Sequence, residues 1–149
     1  MLDTRGADEQ AAMDIEVREA GAVAQVLAGV TGGAVAFRGS WVAGRGLIDA
    51  VAVCDGTSVT VLPLGGDDDR DALDAWLMDP AIDKRIHDAK GPDLAVLTRT
   101  GGDAVIRGVS VDTALAAYLD SPGARSYGLE DVATRLLGRT PVSYTHLTL

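Results

Sequence analysis

A chain of 149 residues with 47% hydrophobic content suits one globular domain with a real core, and no apolar run approaches the roughly 18–20 residues of a membrane-spanning helix. The formal charge of −9 argues against autonomous nucleic-acid binding, because phosphate contacts need a basic face. Cys54 is the single cysteine, which excludes an intrachain disulfide and a cysteine-based metal cluster.

The opening Met1-Leu2-Asp3-Thr4-Arg5 lacks a basic region followed by an apolar run, so no signal peptide is read and a cytoplasmic setting is expected. Residues 1–12 are polar and expected to be a disordered lead-in. Ile15 and Val17 alternate with Asp14, Glu16 and Arg18 as a short strand, and residues 20–28 follow as a helix with Val23, Val26 and Leu27 inward. The apolar run at 34–37 predicts a central strand. Residues 47–54 and 57–64 predict a hairpin closed by Asp55-Gly56, with Cys54 as a small buried residue. Residues 65–69 read as an acidic loop, and 70–78 as a helix carrying Leu73, Trp76 and Leu77 on one face and stopped by Pro80. A short strand or helix is expected around 84–88, a helix at 94–97, a turn at Gly101-Gly102, and a strand running to Val111. Asp112 or Thr113 then caps a helix bearing Leu115, Tyr118 and Leu119, and a second amphipathic helix carries Leu129, Val132, Leu136 and Leu137. The strands of 35–37, 47–54 and 57–64 are expected to lie adjacent, largely antiparallel, and buried against the Leu115/Tyr118/Leu119 helix. The order as a whole reads as α/β with a mixed sheet.

From about Ile15 to Arg139 the chain resembles the proofreading-exonuclease domain of family A DNA polymerases, a ribonuclease-H-like (DnaQ-like) fold. The most specific part is Asp112-Thr113-x-Leu115-x-x-Tyr118 followed by the 129–137 helix, and His87-Asp88-Ala89-Lys90 resembles the family's His/Gln-Asn-x-Lys stretch. The resemblance implies a fold incomplete at the C-terminus: a truncated exonuclease-like domain over 13–141. Residues 142–149 read as a non-native tail similar to translated sequencing-adapter sequence, so His146 carries no functional weight.

Such exonucleases hold two divalent metals with carboxylates, one metal preparing a water and the other stabilising the leaving 3′ oxygen. Carboxylate oxygens suit Mg²⁺ or Mn²⁺. The first motif is Asp-x-Glu on the central strand, where period-2 alternation puts both carboxylates on one face. Aligning Phe37 with the family's aromatic places Arg38 at the Asp and Ser40 at the Glu. A guanidinium has no acceptor and repels a cation. With Lys90 aligned, the second-motif Asp falls at Pro92, and Asp93 lies one residue away. The third motif, Tyr-x-x-x-Asp, falls beyond Leu149.

Other groups compete with this reading. Asp14-Ile15-Glu16 is formally Asp-x-Glu, but precedes the first helix. Asp67-Asp68-Asp69 is a weak cation candidate or a solvated acidic run. Asp112 reads as a cap, His87 as a general base without a nucleophile, and Trp41 and Trp76 as core or interface anchors rather than base-stacking platforms. The expectation is a fragment of a bacterial DNA polymerase I with no catalytic, cofactor or metal residues, a structural spacer whose partner is the parent's polymerase domain and which meets DNA only through the full-length enzyme. The alternatives are an active metal-dependent 3′–5′ exonuclease using Asp93, Asp112 and Asp14/Glu16, and a stand-alone acidic interaction module.

Overall fold

A computed structural model describes residues 13–42, 45–90 and 106–139, with the backbone alone described over 40–42 and 45–46. Its elements are β1 (Asp14–Val17), α1 (Val23–Leu27), β2 (Gly32–Val42), β3 (Arg45–Cys54), β4 (Ser58–Pro63), α2 (Asp67–Met78), β5 (Asp83–Ile86), β6 (Val109–Asp112), α3 (Thr113–Asp120) and α4 (Leu129–Leu137). They build a mixed six-stranded sheet in the order β1-β4-β3-β2-β5-β6. β3 runs antiparallel to β2 and β4, whereas β1/β4, β2/β5 and β5/β6 are parallel pairs.

The predicted hairpin forms, for a local reason. Asp55 Oδ1 accepts the backbone N–H of Thr57 at 2.8 Å and of Ser58 at 2.9 Å, while Gly56 takes φ +102°, so the turn holds itself closed. The three strands expected to be neighbours are neighbours. Cross-strand partners Val35↔Val53, Phe37↔Val51 and Val51↔Leu62 put these side chains on one face of the sheet.

That face is covered by α1 and α2, not by α3. Val23, Leu27, Leu73, Trp76 and Leu77 join Val35, Val51, Val53 and Leu62 in the core. Leu115, Tyr118 and Leu119 stand 58%, 52% and 77% exposed, and the buried residue of α3 is Ala117. Topology explains this correction. The connections β1–α1–β2 and β4–α2–β5 cross the sheet in the same direction between parallel strands, so a common handedness brings both helices to the same face. α3 instead leaves the edge strand β6 and starts beyond the sheet.

Three further expectations change. Asp67–Asp69 are the first turn of α2 rather than a loop, where their charge complements the helix dipole. Asp69 is buried, and its Oδ2 accepts the N–H groups of Gly21 and Gly65 at 2.8 Å each, fastening the turn before α1 to the turn before α2. Cys54 is half-buried, not buried, because it ends β3 at the hairpin turn, where its Sγ accepts the N–H of Gly56 at 3.4 Å.

Lys84 on β5 is fully buried. Its Nζ donates to the carbonyls of Asp79 (2.9 Å), Ile82 (3.1 Å) and Arg107 (2.8 Å) and lies 5.0 Å from the centre of the Trp76 ring. Burial pulls its pKa down from 10.5, against the opposing charges of Asp79 and Asp83. Beside it the chain passes so close that a Cβ at Gly108 (φ +76°) would clash with the Ile82 carbonyl oxygen.

Candidate functional site

β2 is the strand on which the resemblance puts the first pair of carboxylates. Its ladder with β3 pairs Arg38 with Ala50 and then Gly39 with Ile48, so Asp49 is an extra residue, a bulge. The bulge decides which way the strand faces. Without it Asp49 would take the place opposite Gly39 and Ile48 would turn outward; with it Ile48 stays in the core at 4% exposure. Arg38, opposite Ala50, lies on the face away from α1 and α2, and its Nε donates to Asp49 Oδ1 at 2.7 Å. The two side chains are 58% and 31% exposed. This is a cation and an anion satisfying each other where a metal cage would need converging carboxylates. A guanidinium offers no lone pair, and the neighbouring carboxylate is engaged by it. These described residues do not fit a divalent ion. Ser40 pairs with Leu47 along the ladder, and its side chain lies outside the described residues.

The second candidate stretch, 87–90, follows β5. Asp112 ends β6 and caps α3 as expected, with Oδ1 accepting from the N–H of Ala114 at 2.9 Å and of Leu115 at 3.4 Å. The same carboxylate also reaches the 87–90 stretch: Oδ1 accepts from Asp88 N–H and Oδ2 from Ala89 N–H, both at 2.9 Å. Burial alone would raise this carboxyl, but the four backbone donors outweigh it and hold the pKa below 3.8. His87 Nδ1 is hydrogen-bonded to Thr113 Oγ1 at 2.8 Å, so the ring is tied to the start of α3. Pro92, Asp93, the 94–97 helix and the Gly101-Gly102 turn lie outside the described residues, as does the 142–149 tail.

The remaining candidates are scattered. β1, with Asp14 and Glu16, is separated from β2 by β4 and β3, and Glu16 is paired with Arg18 at 2.9 Å. Trp76 is a core anchor whose Nε1 donates to the Val30 carbonyl at 3.2 Å; Trp41's side chain is outside the described residues. Among the described residues no three His, Cys, Asp or Glu side chains stand together as a metal-holding group. A cavity of about 370 Å³ opens on the face away from α1 and α2, floored by Ala34, Ala36 and Ala52 and walled by His87, Thr113 and Leu129. Sequence reasoning missed Asp49 and Lys84, and took Asp69 as part of an acidic run where it is a buried acceptor. A charged residue inside a strand pattern was the available signal for Lys84.

With this geometry in hand, the comparisons with known proteins agree with one another. The family model of the DNA polymerase I ribonuclease H-like domain matches residues 46–144, well over half the chain. DNA polymerase I of Mycobacterium tuberculosis and of Mycobacterium leprae are 47% and 46% identical to it over 92 residues, 60% of this chain. The chain spans about a tenth of the length of these curated relatives, the match covering 10% of each. The solved POL domain of Pol1 from M. smegmatis, in complex with DNA primer-template and dNTP, superposes with a TM-score of 0.64 at 34% identity, over 84% of this chain and 23% of that one. Escherichia coli RNase D shares the fold at a TM-score of 0.61 and 18% identity, over 91% of this chain and 36% of that one. The mixed sheet, its flanking helices and the matched sequence together assign this chain to the family of DNA polymerase I ribonuclease H-like domains.

Proposed function

We propose that this chain is the exonuclease-like part of a bacterial DNA polymerase I, without exonuclease activity of its own, serving as a structural spacer that packs against a polymerase domain. The observation that carries the reading is the pair that Arg38 of β2 makes with Asp49 of β3. Two-metal hydrolysis needs a cluster of anionic oxygens to hold the ions against their hydration shells. At this place on β2 the chain presents a fixed positive charge, and its nearest described carboxylate is bound to that charge. With no ion held there, neither the attacking water nor the leaving 3′ oxygen is stabilised.

Contact with DNA is then a property of the parent enzyme, as the net charge of −9 also favours. A soluble, cytoplasmic setting follows from the same reading; no described helix is long and apolar enough to cross a membrane.

The test is release of 3′ nucleotides from single-stranded DNA by the purified chain with Mg²⁺ or Mn²⁺. No release above the protein-free control is expected with either ion. Metal-dependent release that persists in Arg38→Ala and disappears in a folded Asp93→Asn variant would replace this reading with that of an active nuclease using a different carboxylate set.

A further inference from the structure

Asp112 makes more hydrogen bonds than a helix cap requires. Capping α3 uses one oxygen, Oδ1, which takes the N–H groups of Ala114 and Leu115. A serine would do as well, since Ser and Asp are comparable N-caps. The carboxylate adds something a hydroxyl cannot: Oδ2 is directed at Ala89 N–H while Oδ1 also takes Asp88 N–H. The two amides are consecutive, and Asp88 is the one non-glycine residue with positive φ among the described residues, at +56°. Consecutive N–H groups turned inward by a left-handed residue form a concave anion site. Here the anion is the protein's own side chain.

The stretch His87-Asp88-Ala89-Lys90 contains no glycine, the residue that takes the left-handed conformation at no steric cost, and an aspartate visits it only occasionally without outside support. What compensates for it lies 24 residues away at the β6–α3 junction. Thr113 adds a second tie through His87 Nδ1. We propose that Asp112 is a positioning residue: its carboxylate, reaching across from the β6–α3 junction, dictates the conformation of the 87–90 stretch, which the stretch's own sequence does not. The inference does not depend on whether the chain hydrolyses a nucleic acid.

Amide hydrogen exchange and the Asp88 amide–Hα coupling constant, measured on the full chain, test it. In the unmodified chain the amides of Asp88 and Ala89 are expected to be protected and Asp88 to show a left-handed φ. Asp112→Ser keeps the cap and is expected to accelerate exchange of both amides by about tenfold, the loss of one ordinary hydrogen bond each, with no change for Val51 and Val53 in the core. Asp112→Asn supplies one acceptor oxygen and places an N–H₂ where Oδ2 stands, so Asp88 should stay protected while Ala89 does not. Unprotected amides at 88 and 89 in the unmodified chain overturn the proposal without any variant. So does an Asp112→Ser chain in which both amides exchange as before, or in which acceleration spreads evenly over the core.

Discussion

On one face of the sheet Val35, Val51, Val53 and Leu62 are branched side chains buried under α1 and α2. On the other, β2 and β3 contribute Ala34, Ala36, Ala52 and Cys54, and Ile15 and Val17 of β1 stand 68% and 67% exposed. The alternation of the strands is the same for both. What differs is size and cover. The first face is filled by this chain's own helices and carries its stability. The second is floored with small residues, carries the Arg38–Asp49 pair, and borders α4, whose Leu136 and Leu137 are 53% and 66% exposed. Stability and candidate chemistry thus reside on opposite sides of one sheet, so changes to one should leave the other largely intact.

The widest expected gap is between Trp76 and Leu119. Trp76→Ala removes a side chain that is 5% exposed and should cost about 3–5 kcal/mol in chemical denaturation. Leu119→Ser, on a residue 77% exposed, should stay within about 0.5 kcal/mol. Equal costs would end the distinction between the faces.

Lys84→Met comes next. It leaves the carbonyls of Asp79, Ile82 and Arg107 without their shared donor and should destabilise by about 2–3 kcal/mol despite adding apolar bulk. A stabilised variant would mean that the ammonium is tolerated rather than needed. Arg38→Ala breaks an exposed pair and should change the denaturation midpoint by less than about 1 kcal/mol, with no Mg²⁺ dependence of the midpoint gained. A large loss would make the open face part of the stability core.

The smallest effect is local. Ser58 and then Thr57 backbone N–H groups hold the exposed Asp55 carboxyl down, from 3.8 to about 2. Its folded value lies below its unfolded one, so the contribution to the hairpin is fully present above the ordinary carboxylate range and disappears as pH falls through about 2. An NMR titration of the Asp55 carboxyl carbon giving an ordinary midpoint near 3.8 would show that the turn bonds are not persistent in solution.

Much of the closed face was legible in advance. The Asp55-Gly56 turn, the Leu73/Trp76/Leu77 stripe and the Asp112 cap each follow from local chemistry. The open face was less so. The stripe on α3 was read correctly as a stripe, yet periodicity says nothing about what covers it; only the strand order reveals that α3 starts at the sheet edge. The family resemblance set Arg38 and Ser40 at the places where it expects carboxylates. Asp49 as the partner of Arg38 was not legible, because a bulge arises from pairing between strands, and Gly39 beside it does not say which residue of β3 is the extra one. Lys84 escaped for a related reason: its three acceptors come from two separate segments of chain.

The bulge also bears on how this site can change over generations. Asp49 has no opposite number on β2, since Gly39 already faces Ile48. Losing its codon would leave that pairing, and the inward place of Ile48, where they are; Leu64 N–H, which donates to the Asp49 carbonyl at 2.9 Å, would have to find another acceptor. Losing the codon for Arg38 would instead shift β2 by one place and exchange its two faces. Lineages can therefore gain or drop a residue on the β3 side of this site while the hydrophobic composition beneath it stays under unchanged selection, whereas β2 can drift only by substitution.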